Sequence, residues 1–294
     1  MVNPEPVDTS QPLSDGAERP AEPIAVEEAL PGLDAGVDGE ELDEAVAQHD
    51  LDMGIFTDEE LHWLADRTEV PDDALEAPRL SAMPLEQQEA SAEGALWVMM
   101  ARGDIEIDED EQVRARGRHG LLGLLREEPT GVARIEYGTR EDGPSYAALY
   151  YLTANAIMVE MVNPAGLHHF LITTPTRAAR LLLDMVIGGD IEGESTPGQR
   201  AATIDELDGY GELVEHANRS SLVVTGRASK SLEVEQASST IYVVDTEVHL
   251  LTGWAGEFSG EVTLQRLGYD DVVAWAVWVV TEAMSPQGTA AATD

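Results

Sequence analysis

The chain has 294 residues, of which 43% are hydrophobic, enough for a packed core in one large or two small domains. Its 57 acidic residues against 17 basic ones give a formal net charge of -40, which repels nucleic-acid phosphates and anionic lipids, so direct binding to either is not expected. Because the chain has no cysteine, disulfides, thiol catalysis and cysteine-ligated zinc are excluded.

No stretch approaches the roughly 18 apolar residues of a membrane helix, and the N-terminus lacks the basic and apolar segments of a signal peptide. These features predict a soluble, cytoplasmic protein without membrane insertion. The acidity has two explanations that the sequence leaves open. An acid-rich surface with a single lysine, Lys230, is typical of salt-adapted proteins, and it also suits a protein that binds a basic or neutral partner.

Residues 1–54 are predicted to form a disordered acidic tail, with at most a short helix within residues 39–51 that orders on a partner. The segment holds six prolines and no aromatic residue. Such a composition buries too little apolar surface to offset the entropy of the chain. Deletion of residues 1–50 should then leave the melting temperature nearly unchanged.

Apolar residues at helical spacing predict three helices in the next region, at 57–70, 85–102 and 113–126. Thr57 caps the first helix, because Glu60 stands three residues later in the capping-box position. Gly103 is placed to end the second helix. The apolar face of that second helix consists of Ala92, Ala95, Leu96 and Met99. The segment from Ile105 to Ile107 alternates with acids and predicts a short strand.

From Gly131 onward apolar and polar residues alternate, which predicts strands at 132–137 and 146–152 and further strands up to Thr174. An amphipathic helix at 203–218 is predicted next. A hairpin formed by 222–227 and 231–236 follows it.

One plan of strand, turn, strand and helix occurs twice, at 150–187 and at 241–283. Short glycine or proline turns join successive strands directly, which favours antiparallel pairing. The predicted fold class is therefore α+β, with two pseudo-symmetric halves and a mostly antiparallel central sheet flanked by helices. The folded region is placed at 55–284, with halves at about 55–190 and 200–284. Residues 285–294 are predicted to form a flexible C-terminus.

No motif for catalysis or metal binding is complete in this sequence. His168 and His169 are neighbours on a strand, so their imidazoles point to opposite faces and cannot chelate one ion together. The acidic run that starts at Asp104 lacks the glycine and glutamate of a calcium loop, and the serine of Gly256–Gly260 is misplaced for a nucleophile elbow. We therefore expect no catalytic residue, no metal, no cofactor and no enzymatic activity.

Two sets of side chains remain as candidates for binding. Trp254 and Phe258 lie in a glycine-rich turn between strands, where large aromatic residues either anchor a protein partner or cover the end of a sheet. They are the candidate partner-binding residues. The basic cluster of Arg114, Arg116, Arg118 and His119 directly follows acidic residues, so intramolecular pairing explains it better than nucleic-acid binding. Trp275 and Trp278 lie on an apolar helix and are expected in the core.

Four features together resemble the EspG family, the cytoplasmic chaperones of actinobacterial type VII secretion. They are an early helix with Leu61, Trp63 and Leu64 before Pro71 and Leu75; a segment from Leu96 to Ile105 that ends in Ala-Arg-Gly-Asp-Ile; a helix at 113–126 that leads into a strand at Val132; and the strand, turn, strand and helix from Ile241 to Val280. The resemblance covers roughly residues 55–283.

The resemblance implies an α+β fold with two halves related by a pseudo-two-fold axis around an antiparallel sheet. It also implies a non-enzymatic chaperone that binds the apolar helical tip of a secreted client, of the PE/PPE-like or WXG type, and keeps it soluble. The alternative is an acidic decoy or antagonist, which would present phosphate-like charge to a basic, nucleic-acid-binding protein.

Overall fold

The computed structural model describes most of the chain between residues 22 and 283. The described ranges are 22–33, 39–64, 77–107, 113–127, 129, 131–139, 143–153, 156–226, 237–253 and 261–283. Within these ranges, no helix is both long enough and apolar enough to cross a membrane.

The N-terminal elements are mainly helical. In chain order they are β1 (Ile24–Ala25), α1 (Val26–Ala29), α2 (Gly39–Gln48), β2 (Leu51–Thr57), α3 (Asp58–Leu64), α4 (Pro78–Ser81), α5 (Leu85–Arg102), β3 (Ile105–Ile107), β4 (Val113–Ala115) and α6 (Gly117–Glu127). Four strands and a helix follow: β5 (Gly131–Thr139), β6 (Gly143–Leu152), β7 (Ile157–Val162), β8 (Leu167–Thr173) and α7 (Pro175–Val186).

The C-terminal elements are five strands, two helices and two short helical turns. They are β9 (Gln199–Ala201), a 3-10 turn (Ile204–Glu206), α8 (Tyr210–His216), β10 (Arg219–Gly226), β11 (Ala237–Val244), β12 (Glu247–Thr252), β13 (Val262–Leu267), α9 (Tyr269–Trp278) and a π-helical turn (Val279–Ala283).

The described strands form one large sheet and one small hairpin. The sheet has 11 strands in the order β1-β2-β8-β7-β6-β5-β10-β11-β12-β13-β9, and β3 pairs with β4 on its own. β1 and β2 run parallel, whereas the other neighbours in the large sheet are antiparallel. The prediction of an α+β fold with a mostly antiparallel sheet is therefore confirmed.

Helices cover both faces of this sheet, because successive side chains of a strand point to opposite sides. On β6, Ala148 and Tyr150 pack with α7 and α9 on one face. Leu149 and Tyr151 pack on the other face, together with apolar residues of the N-terminal helices α1, α2 and α6. A third, smaller cluster contains Tyr242 of β11, with residues of α8 beside it.

The prediction of a disordered tail over residues 1–54 is wrong for the part that the structure describes. Val26, Leu30, Leu42 and Val46 are all buried against the sheet. Val26 and Leu30 are four residues apart, as are Leu42 and Val46, so each pair forms a short apolar helical face. The low average hydrophobicity of the segment conceals these two faces. They pack on β6, β7 and α6, which lie far away in the sequence. The proposed boundary at 54 and 55 falls inside β2. Residues 1–21 lie outside the described ranges, as do 284–294 at the other end.

Two helix boundaries also differ from the sequence-based expectation. The helix placed at 113–126 begins only at Gly117, because Val113–Ala115 pair with β3 as a strand. The helix placed at 203–218 is divided into the 3-10 turn and α8, with Gly209 in a left-handed conformation between them (φ 72°). The strand predicted at 231–236 lies outside the described residues, and β10 pairs instead with β11.

Candidate functional site

The predicted partner-binding residues, Trp254 and Phe258, lie outside the residues that the structure describes. The chain is described up to Gly253, just after β12, and again from Glu261, just before β13. These two side chains therefore belong to the connection between β12 and β13, and their role stays a prediction.

The other sequence candidates have definite places. Trp275 is buried between the sheet and α7, as predicted, whereas Trp278 is 38% exposed, so its expected place in the core is wrong. The basic cluster makes contacts within the protein: Arg116 pairs with Glu106, and the Arg118 guanidinium lies over the Phe56 ring. His119 is buried with its ring edge-on to the same phenylalanine, and burial lowers the pKa of His119.

The most concentrated set of ionisable groups surrounds His168, on the face of the sheet covered by the N-terminal helices. His168 Nε2 lies 2.6 Å from Asp58 Oδ1, and His168 Nδ1 lies 2.7 Å from Glu160 Oε1. The Tyr151 hydroxyl donates to Glu160 Oε2 at 2.5 Å, and Arg126 Nη2 lies 3.7 Å from the same oxygen. We call these five residues the His168 cluster.

The charges of the His168 cluster compensate one another. A neutral imidazole donates from one ring nitrogen only, yet both nitrogens of His168 face carboxylate oxygens. Burial opposes protonation of the ring, but the hydrogen bonds and charges of Asp58 and Glu160 outweigh it, so the pKa of His168 is raised. Burial acts against ionisation of Glu160 too, yet the Arg126 charge and the His168 and Tyr151 hydrogen bonds lower its pKa. The raised pKa favours the imidazolium form of His168, which together with Arg126 balances the carboxylates of Asp58 and Glu160.

The His168 cluster fastens the helical layer to the sheet. Asp58 is the first residue of α3, and its Oδ2 also accepts the backbone N–H groups of Arg79 and Leu80 at the start of α4, at 2.7 and 2.9 Å. Gly166, in the turn between β7 and β8, accepts the backbone N–H of Asp58 and has φ of 71°. A Cβ at Gly166 would lie 2.6 Å from Cβ of Arg79, so only glycine lets this turn approach the helices so closely.

Chemically, this arrangement suits stability better than catalysis. His168, Asp58 and Glu160 are each at most 2% exposed, and every ring nitrogen of His168 is already bonded to a carboxylate. The sequence held one signal of it: Glu160 interrupts the apolar strand Ile157–Val162, and an acid in such a place requires a buried partner.

The two adjacent histidines have opposite environments, as the alternation of a strand predicts. His169 lies on the other face of β8, half-exposed, with its Nε2 2.9 Å from Asp52 Oδ1. Across the described ranges, no three histidine, aspartate or glutamate side chains come together in a way that could hold a metal ion.

A second candidate site is the exposed side of α5, the longest described helix. Ala92 and Met99 are its buried residues. Since successive residues turn by about 100°, the side opposite to them carries five apolar residues, with the exposed Gln87 among them near the start of the helix: Ala90, Gly94, Trp97, Val98 and Ala101. We call these five residues the outer face of α5. Trp97 is 59% exposed and Val98 is 52% exposed, and Leu85 at the start of the helix is 67% exposed.

The inner side of α5 is held firmly by α3. The Trp63 indole donates to the carbonyl oxygen of Ala92 at 2.5 Å, and the Ser91 hydroxyl donates to Glu59 at 2.8 Å. Near the other end, Arg102 pairs with Glu60. Gly103 then ends the helix in a left-handed conformation, as predicted. Because α3 holds α5 along its inner side, the apolar residues on the outer side have fixed positions at the surface of the protein.

Sequence analysis missed the outer face of α5, although a signal was present. The apolar face assigned to this helix accounts for Ala92, Ala95, Leu96 and Met99 but leaves Trp97 and Val98 on the far side. A helix that is apolar on two sides packs on two partners. Among the described elements, α3 makes the most extensive contact with α5, along its inner side.

No protein-family model matches this sequence, and comparison with curated proteins finds no relative of it. The resemblance to the EspG family thus stays a prediction from the residues.

Proposed function

We propose that the protein is a cytoplasmic, non-enzymatic chaperone or adaptor of the EspG type, which binds a helical client of a type VII secretion system and keeps it soluble. The observation that carries the proposal is the outer face of α5. Contiguous apolar surface on a helix that is already packed along its other side is typical of a site covered by another molecule. A net charge of -40 would keep the loaded complex in solution.

The buried state of the His168 cluster supports a binding role over a catalytic one. Its central groups, His168, Asp58 and Glu160, are each at most 2% exposed, so a substrate could reach them only if the covering layer moved. Departure of α3 from the sheet would break the contact of Asp58 with His168.

The order of strands supports the finer description of the fold as two pseudo-symmetric halves, at about 55–190 and 200–284. Outward from the pair of β5 and β10, one side reads β6, β7, β8, β2, β1 and the other reads β11, β12, β13, β9. Along the chain, β8 leads into α7 and β13 leads into α9, and these two helices pack on the same core. This likeness between the two sides supports the pseudo-symmetric halves that the EspG resemblance implies.

Co-expression tests the proposal directly. The full chain is produced together with small helical secretion proteins, PE/PPE-like or WXG-type, encoded beside it, and the complex is isolated through a tag on the client. We expect a stoichiometric complex, and a client that aggregates when it is expressed alone. A locus without secretion components, together with no co-purifying client, would refute the proposal.

Trp254→Ala and Phe258→Ala test the residues that the sequence predicts for client binding. If Trp254 is a buried hot spot of the complex, its loss weakens binding by about 2 kcal/mol. Unchanged affinity together with a large fall in melting temperature would show that the ring is structural and that the client binds elsewhere.

The alternative function, an acidic decoy for a basic protein, is favoured by the net charge alone. Binding through exposed charges would collapse with rising salt, because screening acts over roughly 10 Å at 0.1 M. Binding of an apolar client helix should persist, so a salt titration of any complex distinguishes the two functions.

A further inference from the structure

The outer face of α5 has a defined electrostatic border. Glu86, Glu89 and Glu93 are all exposed and follow one another along one flank of the apolar residues. The only basic residue of α5 is Arg102, at its end, where it pairs with Glu60 and with Asp104 at 2.6 Å. The face therefore combines an apolar strip with a row of negative charge on one side.

We infer that the outer face of α5 docks an amphipathic helix of the client whose apolar stripe is bordered by lysine or arginine. This inference rests on the proposed function and specifies the client surface that is recognised. Trp97 would insert into the apolar stripe, and the small side chains of Ala90, Gly94 and Ala101 would let the two helices approach closely. The row of glutamates fixes the orientation of the client, because only one edge of its helix would meet opposite charge.

Charge also argues against two other occupants. A second copy of the chain would bring an equal net charge of -40 and the same glutamates to the face, so like charges would meet at the contact. The N-terminal residues 1–21 carry four acids against one arginine and have the same sign of charge. A basic helix from another protein is the occupant that the border of the face complements.

The face is also preformed. The contacts of Trp63 with Ala92 and of Ser91 with Glu59 fix the inner side of α5, and Asp58 fixes α3 to the sheet through His168. A rigid surface loses little conformational entropy when a partner binds, which favours affinity.

The probe for the test is a labelled amphipathic peptide of about 18 residues, the length of α5, with a leucine stripe bordered on one side by lysines. Its binding to the full chain is measured by fluorescence anisotropy. We expect Trp97→Ala to weaken binding at least about tenfold, as loss of a central aromatic anchor does. Trp278→Ala on α9 is the matched control, since it removes another exposed tryptophan, and it should leave the affinity unchanged.

A charge-matched pair of variants separates local recognition from general attraction. The first double variant, on α5, is Glu86→Lys with Glu89→Lys. The second, on α8, is Glu212→Lys with Glu215→Lys; both of these glutamates are exposed, and both double variants change the net charge by the same amount. The α5 pair should weaken peptide binding several times more than the α8 pair. An equal loss of peptide affinity in both double variants would overturn the inference and indicate charge attraction alone. A dimer of the chain that dissociates in the Trp97→Ala variant would also overturn it and identify the face as a self-association surface.

Client capture distinguishes failure of this inference from failure of the proposed function. If the wild-type chain captures a secretion client and the Trp97→Glu variant captures it equally well, the docking surface is wrong and the chaperone function stands. If no client is captured while peptide binding depends on Trp97 and the glutamates, the surface stands and the proposed function is wrong. Urea unfolding of each variant checks that these exposed substitutions leave the fold intact.

Discussion

At the scale of single residues, the environment of a side chain decides the effect of its substitution far more than its type does. His168 and His169 are neighbours of one strand, yet the first is buried between two carboxylates and the second is half-exposed beside Asp52. Both are paired with acids at similar distances. The cost of removing each ring should nevertheless differ greatly, since only the buried acids lose a partner that water cannot replace.

His168→Ala should lower the free energy of unfolding by about 3 to 5 kcal/mol, because it leaves Asp58 and Glu160 buried without their counter-charge. His169→Ala should cost at most about 1 kcal/mol, as exposed ion pairs do. Urea unfolding of the two variants beside the wild type measures both values. Similar losses for both would show that the His168 cluster is hydrated or rearranged in solution.

The same cluster predicts a pH dependence of definite sign. The pKa of His168 is raised in the folded state, so its contribution is fully present below the unfolded value of about 6.5 and is lost as the pH rises through the folded pKa. The stability difference between wild type and His168→Gln should therefore shrink above pH 6.5, by up to about 1.4 kcal/mol per pH unit. Urea unfolding between about pH 6 and pH 9 measures it, and a difference that grows with pH would contradict the assignment of an imidazolium.

At the scale of elements, the sequence predicts correctly those helices and strands whose ends are marked by local capping or turn residues. The capping box at Thr57 is present: Glu60 Oε2 accepts the Thr57 N–H at 3.0 Å, and the Thr57 hydroxyl oxygen accepts the Glu60 N–H at 3.3 Å. Thr57→Ala should therefore lower the unfolding free energy by about 1 kcal/mol. Thr203→Ala is the control, because Thr203 precedes the 3-10 turn without a side-chain capping bond. An equal loss at both positions would mean that the capping box adds no stability.

Elements whose structure depends on distant partners were harder to predict. The segment at Val113–Ala115 is a strand only because β3 lies beside it, and periodicity extended the following helix over it. The proline-rich surroundings hid α1, and the short helix anticipated within residues 39–51 was expected to order on a partner, whereas α2 packs on the sheet of its own chain. The His168 cluster joins residues from α3, α6, β6, β7 and β8, and no local pattern connects positions that far apart. Prediction therefore reached the fold class and most strands, whereas the buried ion network and the outer face of α5 required the tertiary packing.

At the scale of the whole molecule, the N-terminal segment is part of the core, and this reverses the expected result of deleting it. Residues 22–50 contribute five buried apolar side chains to the sheet face that also holds Phe56 and Phe170; they are Val26, Leu30, Leu33, Leu42 and Val46. Asp50 adds a buried carboxylate that accepts the Thr173 hydroxyl at 2.5 Å and Arg177 Nη1 at 2.7 Å. The segment thus links β1, α2 and β2 to the start of α7.

Deletion of residues 1–50 should remove most of the stability of the protein. Full burial of five such side chains contributes on the order of 10 kcal/mol, which is as large as the net stability of a typical domain. We expect the shortened chain to lose its cooperative thermal transition, or to melt at least about 10 °C lower than the control. The control is the chain that starts at residue 22, which keeps every described residue, so the comparison isolates residues 22–50. Equal melting temperatures for the two chains would show that α1 and α2 do not hold to the sheet in solution.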